Sequence, residues 1–266
     1  MDLAGKTVLL SGATGGIGRA IAKELTGRGA TMVLTSRKQE QLAALARELP
    51  GQGHRFIVAD LGVEGGAERL VAEAGEVDVL VANAALPAGG RLERFSQEEL
   101  TRALRVNLEA PVKMTRELIG AMKERGSGHL VFISSLQGKV AFAGSSVYTA
   151  TKFGLRGFAL ALRDELSGAG VGVSLVLPGF VREAGMFADS GARRAPAGLG
   201  TSSPGEVADG VAVAIERNRA EVEVAPLRQR LAAGFAHRRP RIASRVTRGS
   251  AGRVSDKVSR GQVGKR

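Results

Sequence analysis

Short apolar runs rich in Val, Ile and Leu recur at residues 7–11, 31–35, 55–59, 78–82, 129–134 and 172–177, with a seventh at 221–225. Between them, residues 16–28, 39–49, 97–124, 148–169 and 205–217 repeat apolar positions at helical spacing and are filled with Ala, Leu, Glu and Arg, which favour helix. Near-continuous apolar strands alternating with helices predict a parallel sheet covered on both faces. This is a doubly wound, Rossmann-like α/β fold of about seven strands. Ser96 with Glu99 three residues on predicts a capping box opening the 97–124 helix. Ser203-Pro204 predicts a cap and first-turn proline for the 205–217 helix.

A chain of 266 residues is long enough for one α/β domain with a full core. Hydrophobic residues at 44% and charged residues at 24% suit an ordinary globular protein, and no apolar stretch reaches bilayer-spanning length. The first residues, Met1 to Lys6, show neither a basic leader nor a cleavable apolar region, so the expected location is cytoplasmic. The absence of cysteine excludes disulfides, thiolate nucleophiles and sulfur-ligated metals. His54, His129 and His237 have no spacing suited to a metal or a triad, and no metal is expected.

The net charge of +12 would suit a polyanion, but it is concentrated in a tail. From His237 onward eight Arg and two Lys face Asp256 alone, which leaves the rest close to balance and makes nucleic acid an unexpected partner. The expected organisation is a main domain over residues 1–226 and a basic extension over 227–266. Within the extension, Leu227, Leu231 and Phe235 fall four apart among Arg228, Arg230, Arg238 and Arg239, until Pro240 interrupts. Such a stretch can lie on an anionic membrane, pack on a partner subunit or remain a solvated extension.

Candidate chemistry enters with Tyr148 and Lys152, four apart at the head of a helical run, and Ser135 thirteen positions upstream. Helical spacing stacks the two side chains on one face. An ammonium roughly 5 Å from a phenol, at an effective dielectric of about 20, contributes about 3 kcal/mol towards phenolate, or about two pKa units. The expectation is a phenol tuned to exchange protons near neutrality. A Tyr-x-x-x-Lys alone also occurs by chance on solvated helices.

The first strand runs into Ser11-Gly12-Ala13-Thr14-Gly15-Gly16-Ile17-Gly18 and then a helix. Glycines there let backbone approach a pyrophosphate at a helix amino terminus, the arrangement of a dinucleotide site. The second strand ends in Thr35-Ser36-Arg37-Lys38 with no acid to bind the ribose hydroxyls of NAD. Arg37, with Ser36, is suited instead to the 2′-phosphate of NADP, so NADP is expected over NAD; the same residues also read as an ordinary solvated basic turn.

Glycine spacing, Ser135, Tyr148 and Lys152 together resemble the short-chain dehydrogenase/reductase family in its compact form, over roughly residues 5–226. The resemblance implies an NADP(H)-dependent oxidoreductase that interconverts a small-molecule carbonyl and a secondary alcohol by hydride transfer. Tyr148 would be the general acid/base, Ser135 a donor to the carbonyl oxygen and Lys152 a partner of Tyr148 and the nicotinamide ribose. Asn107 would hold a water in a proton relay. The resemblance further implies cofactor contacts at Gly12, Thr14, Gly16, Ile17, Gly18, Asp60, Leu61, Asn83, Ala84, Pro178 and Gly179, and assembly as a homodimer or homotetramer. Ala85 stands where the family has glycine, and Glu183 near where it has threonine.

Residues 180–202 form a long glycine-containing connection at the carboxyl end of the sixth strand, where open α/β sheets bind ligands. It reads as a lid over substrate, with Met186, Phe187, Leu199, Arg193 and Arg194 to meet an apolar or an anionic compound, or as an insertion without function. The alternative to an enzyme is a non-catalytic NADP-binding regulatory or scaffold protein on the same fold.

Overall fold

The computed structural model of the protein describes residues 1–183, 199–239 and 241. A seven-stranded, all-parallel sheet runs in the order β3-β2-β1-β4-β5-β6-β7. Its strands are β1 (Thr7–Ser11), β2 (Thr31–Ser36), β3 (Arg55–Val58), β4 (Val79–Ala82), β5 (Gly128–Ile133), β6 (Val171–Pro178) and β7 (Glu221–Val224). The helices are α1 (Gly16–Gly27), α2 (Gln39–Glu48), α3 (Gly66–Ala74), α4 (Gln97–Leu104), α5 (Ala110–Glu124), α6 (Ser146–Glu165), α7 (Pro204–Glu216) and α8 (Leu227–Arg238).

Alternation along each strand fills two cores. Val8, Leu10, Val79, Val81 and Val131 pack with Ile21, Leu25, Leu42, Val211 and Ile215 of α1, α2 and α7. Leu9, Leu80, Leu130 and Phe132 pack on the other face with Leu70, Met114, Leu118, Leu155 and Leu162 of α3, α5 and α6. Both faces are apolar, so the strands read as continuous hydrophobic runs. Chain order reverses between β1 and β4, which opens a crevice beyond their carboxyl ends.

The expected strands and helices are present with end shifts of one or two residues, apart from three differences. α3 is additional to the expected helices: Ala67, Leu70, Val71 and Ala74 keep helical spacing, but over only nine residues, between Gly65 and Gly75. The 97–124 helix is interrupted by a π-helical turn at Arg105–Glu109. The tyrosine helix begins at Ser146 and ends at Glu165 rather than at residue 169. The expected capping box forms at Ser96 with Glu99, and Ser203 caps α7 ahead of Pro204, in a further box with Glu206.

Candidate active site

Three side chains converge where β5 ends and α6 begins. Ser135 caps the 3-10 turn Leu136–Gly138, its Oγ accepting from the Gln137 amide at 3.1 Å. Tyr148 is buried, and the Ser135 hydroxyl beside it favours the ionised phenol. One turn along α6, Lys152 is also buried, with Nζ 5.5 Å from the centroid of the Tyr148 ring. Its ammonium donates to the Ile133 carbonyl at 2.9 Å, and Ser134 Oγ donates to the Lys152 carbonyl at 3.2 Å. Strand end and helix are thereby tied together on both sides of the lysine.

The electrostatics differ from the sequence expectation. Burial pushes the Tyr148 phenol above its ordinary range, and the Ser135 hydroxyl offsets only part of that rise. Burial also lowers Lys152 to about 8. At an effective dielectric of about 20 the Lys152 charge would favour phenolate, whereas desolvation of both groups dominates here. Tyr148 therefore holds its proton through neutral pH, while Lys152 remains mostly cationic at pH 7.

Residues outside the expected set position the serine and tyrosine. Gln137 Oε1 accepts from Ser145 Oγ at 2.7 Å and from Thr149 Oγ1 at 3.2 Å, which fixes the turn carrying Ser135 against the first turn of α6. The Tyr148 amide donates to Ala88 at 3.3 Å, bringing the segment after β4 over the same helix end.

Asn107 is buried in the π-helical turn, where its Oδ1 accepts from the Leu86 amide at 2.7 Å and its Nδ2 donates to the Leu86 carbonyl at 2.9 Å. The amide side chain thus clamps the post-β4 segment, which explains a buried Asn within a helix. Each polar atom of the amide has one backbone partner, and the second Nδ2 hydrogen and second Oδ1 lone pair are left for another.

The β1–α1 turn fits a dinucleotide pyrophosphate. Gly12 has φ of 67°, and a Cβ there would meet Ala84 Cα at 2.8 Å, a clash that confines the position to glycine. Gly18 is buried against the Gly12 carbonyl. No side chain caps α1, and Gly15 and Gly16 are exposed beside the half-buried Thr14 and Ile17. First-turn amides without a side-chain acceptor at a glycine turn form the anion cradle such a cofactor uses. Asn83 binds β4 to this turn, its Nδ2 donating to the Ser11 and Gly12 carbonyls at 3.0 and 3.2 Å. Ser11 Oγ accepts from the amides of Asn83 and Ala84, both at 3.0 Å. Ala85 is outside the left-handed region, so the family's glycine is not required at that place.

At the adenosine side, Ser36 Oγ accepts from the Lys38 amide at 3.1 Å. Arg37 is exposed and forms no hydrogen bond or ion pair among the described residues. Asp60 accepts from Arg102 Nη2 and from the Gly62 amide, both at 2.7 Å, with Leu61 buried beside it. These bonds and the Arg102 charge outweigh the effect of burial and hold the Asp60 carboxyl below its ordinary range.

Beyond Pro178, the Gly179 amide donates to the Val224 carbonyl at 3.0 Å. Glu183 takes a left-handed φ of 64° and pairs with Arg182 at 3.3 Å. The expected lid falls mostly outside the described residues, but both of its stems are within them. Gln229 of α8 binds both: its Oε1 accepts from the Phe180 amide at 3.2 Å, and its Nε2 donates to the Leu199 and Gly200 carbonyls at 3.2 and 2.8 Å. A Cβ on Gly179 would collide with Gln229 Oε1. Gln229 carried no motif, and its only sequence signal was a polar residue among the alanines of the helix's inner face.

Among the described residues no cluster of His, Asp or Glu could hold a metal, and no helix is long and apolar enough to cross a membrane.

A family model for the short chain dehydrogenases matches residues 6–195. The ketoacyl reductase HetN of Nostoc sp. is 40% identical over 228 residues, covering 84% of this chain and 79% of its own. The 3-oxoacyl-[acyl-carrier-protein] reductase FabG of Escherichia coli is 35% identical over 184 residues, 68% of this chain and 75% of its own. A short-chain dehydrogenase from Sphingobium yanoikuyae, solved in complex with NADPH, superposes with a TM-score of 0.76 at 26% identity, over 90% of this chain and 95% of that one. The protein belongs to the short-chain dehydrogenase/reductase family of NAD(P)-dependent oxidoreductases.

Proposed function

We propose that the protein is an NADPH-dependent reductase that converts a carbonyl to a secondary alcohol, with Tyr148 as the general acid. The observation that carries this reading is the buried Tyr148 phenol with the buried Lys152 ammonium one helical turn away, 5.5 Å from its ring centroid, at the strand end that Ser135 follows. A protonated phenol is the form that donates to an oxygen gaining negative charge, as carbonyl reduction requires. NADPH, when bound, supplies the hydride to the carbonyl carbon.

The chain's own groups perform the rest. Ser135 Oγ donates a hydrogen bond to the carbonyl oxygen and shares its developing charge with the Tyr148 hydroxyl. Tyr148 passes its proton to that oxygen, and the Lys152 ammonium stabilises the phenolate left behind. Lys152 would also hold the nicotinamide ribose and so orient the cofactor. Gly12, Gly16 and Gly18 would admit the pyrophosphate, and the exposed Arg37 would hold the 2′-phosphate. Support for NADP over NAD comes from the basic residue where an acid would bind the NAD ribose, and from the NADPH-bound neighbour.

The names of the two curated relatives point to a 3-oxoacyl thioester as the first carbonyl to assay. The test is consumption of NADPH and of NADH against a panel of 3-oxoacyl thioesters, simple ketones and aldehydes. Turnover of at least one carbonyl with NADPH preferred is the expected result. Cofactor binding without turnover of any member would overturn the reading in favour of a sensor or scaffold.

A further inference from the structure

The helix that follows the sheet, α8, has two opposed faces. Gln229 and Ala233 are buried against the body, Ala233 within the core beneath α6. On the outer side Leu227, Leu231 and Phe235 form one stripe at four-residue spacing and are 65%, 64% and 52% exposed. Helical geometry places Arg238 on that stripe and Arg228 along one margin, and Arg239 follows at the helix end. Arg230 lies along the other margin, turned to Glu223 at 3.0 Å. Residues 227–239 include no acid, and Asp256 is the sole acid in the strongly basic sequence that follows.

An exposed apolar stripe edged by cations calls for a partner with an apolar interior and an anionic rim. A second copy is disfavoured, because matching stripes would bring Arg228, Arg238 and Arg239 against their own counterparts. The chain's basic terminal sequence is disfavoured by the same repulsion. Nucleic acid would answer the charge but leave three large apolar side chains in water.

We propose that α8 is an in-plane docking helix for an anionic phospholipid surface. Leu227, Leu231 and Phe235 enter the boundary between headgroups and acyl chains, and Arg228, Arg238 and Arg239 meet the phosphates. Three apolar side chains make this a weak and reversible contact that needs the cations as well. This surface is separate from the catalytic groups and does not depend on which carbonyl is reduced.

The test is sedimentation of the full-length protein with vesicles of phosphatidylcholine, with or without phosphatidylglycerol. The expected result is retention on the anionic vesicles only, weakened by salt. Replacing the stripe (Leu227→Ser, Leu231→Ser and Phe235→Ser together) lowers retention by at least about tenfold, with thermal melting and NADPH oxidation unchanged. Equal retention of parent and triple variant would overturn the proposal, since charge alone would then hold the protein. So would failure of the parent to bind anionic vesicles, and so would a dimer that the triple variant abolishes in the absence of vesicle binding.

Discussion

The Lys152 ammonium donates to the Ile133 carbonyl at 2.9 Å, so the lysine beneath Tyr148 is anchored to the last residue of β5. This bond fixes the cation relative to the sheet edge where the cofactor crevice opens, and it leaves the remaining ammonium protons for other acceptors.

A pH dependence follows. Burial holds Tyr148 protonated beyond the working range, so the group that titrates first as pH rises is Lys152, at about 8. The active form is the ammonium, hence kcat/KM for NADPH is flat near neutrality and declines as pH passes through about 8. Lys152→Arg, which keeps its charge, removes that break from the profile even if it lowers the plateau. An unchanged break in the variant would assign the titration to another group.

Cofactor choice tests Arg37. A charge-assisted contact is about 1.5–3 kcal/mol, so Arg37→Asp lowers kcat/KM for NADPH by about tenfold to a hundredfold and improves NADH. Equal loss with both cofactors would mean that Arg37 does not read the 2′-phosphate.

Gln229 joins both stems of the segment proposed to cover substrate. Gln229→Ala removes the side chain that joins the Phe180 amide to the Leu199 and Gly200 carbonyls, at a cost of about 1–3 kcal/mol. The expected outcome is a raised KM for the carbonyl with a smaller change in KM for NADPH. Gly179→Ala, whose methyl would collide with the same amide, reproduces the effect. Steady-state kinetics with each substrate varied in turn separates this from general destabilisation, which would affect both.

His129 sets an acid limit on stability. It is buried, its Nε2 donating to Ser174 Oγ at 2.8 Å while Ser174 donates to the Ala214 carbonyl at 3.2 Å, and burial lowers its pKa to about 3. The unfolded chain binds a proton below its ordinary value of 6.5 that the native state refuses. Stability is therefore full above that value and falls as pH drops towards 3, by up to about 4 kcal/mol. His129→Gln flattens the slope of denaturation free energy in that window relative to the parent.

The strands, most helices and the meeting of Ser135, Tyr148 and Lys152 were legible because each rests on local spacing. Apolar runs report a sheet buried on both faces, and four-residue spacing reports one helix face. Burial was not legible in the same way. Spacing set the distance from Tyr148 to Lys152 but not the desolvation that raises one and lowers the other. The partners that position the site lie far along the chain: Leu86 for Asn107, Ser145 and Thr149 for Gln137, Phe180 and Gly200 for Gln229. The topology brings those contacts together, and no short motif contains them.

The central claim is that the Tyr148 hydroxyl supplies the proton to a carbonyl reduced by NADPH. The direct measurement is NADPH oxidation by parent and Tyr148→Phe on whichever carbonyl is turned over, with cofactor affinity followed by NADPH fluorescence. A loss of about 10²–10⁴-fold in kcat with NADPH affinity retained is the predicted result. A variant that reduces the carbonyl at close to the parent rate would contradict it.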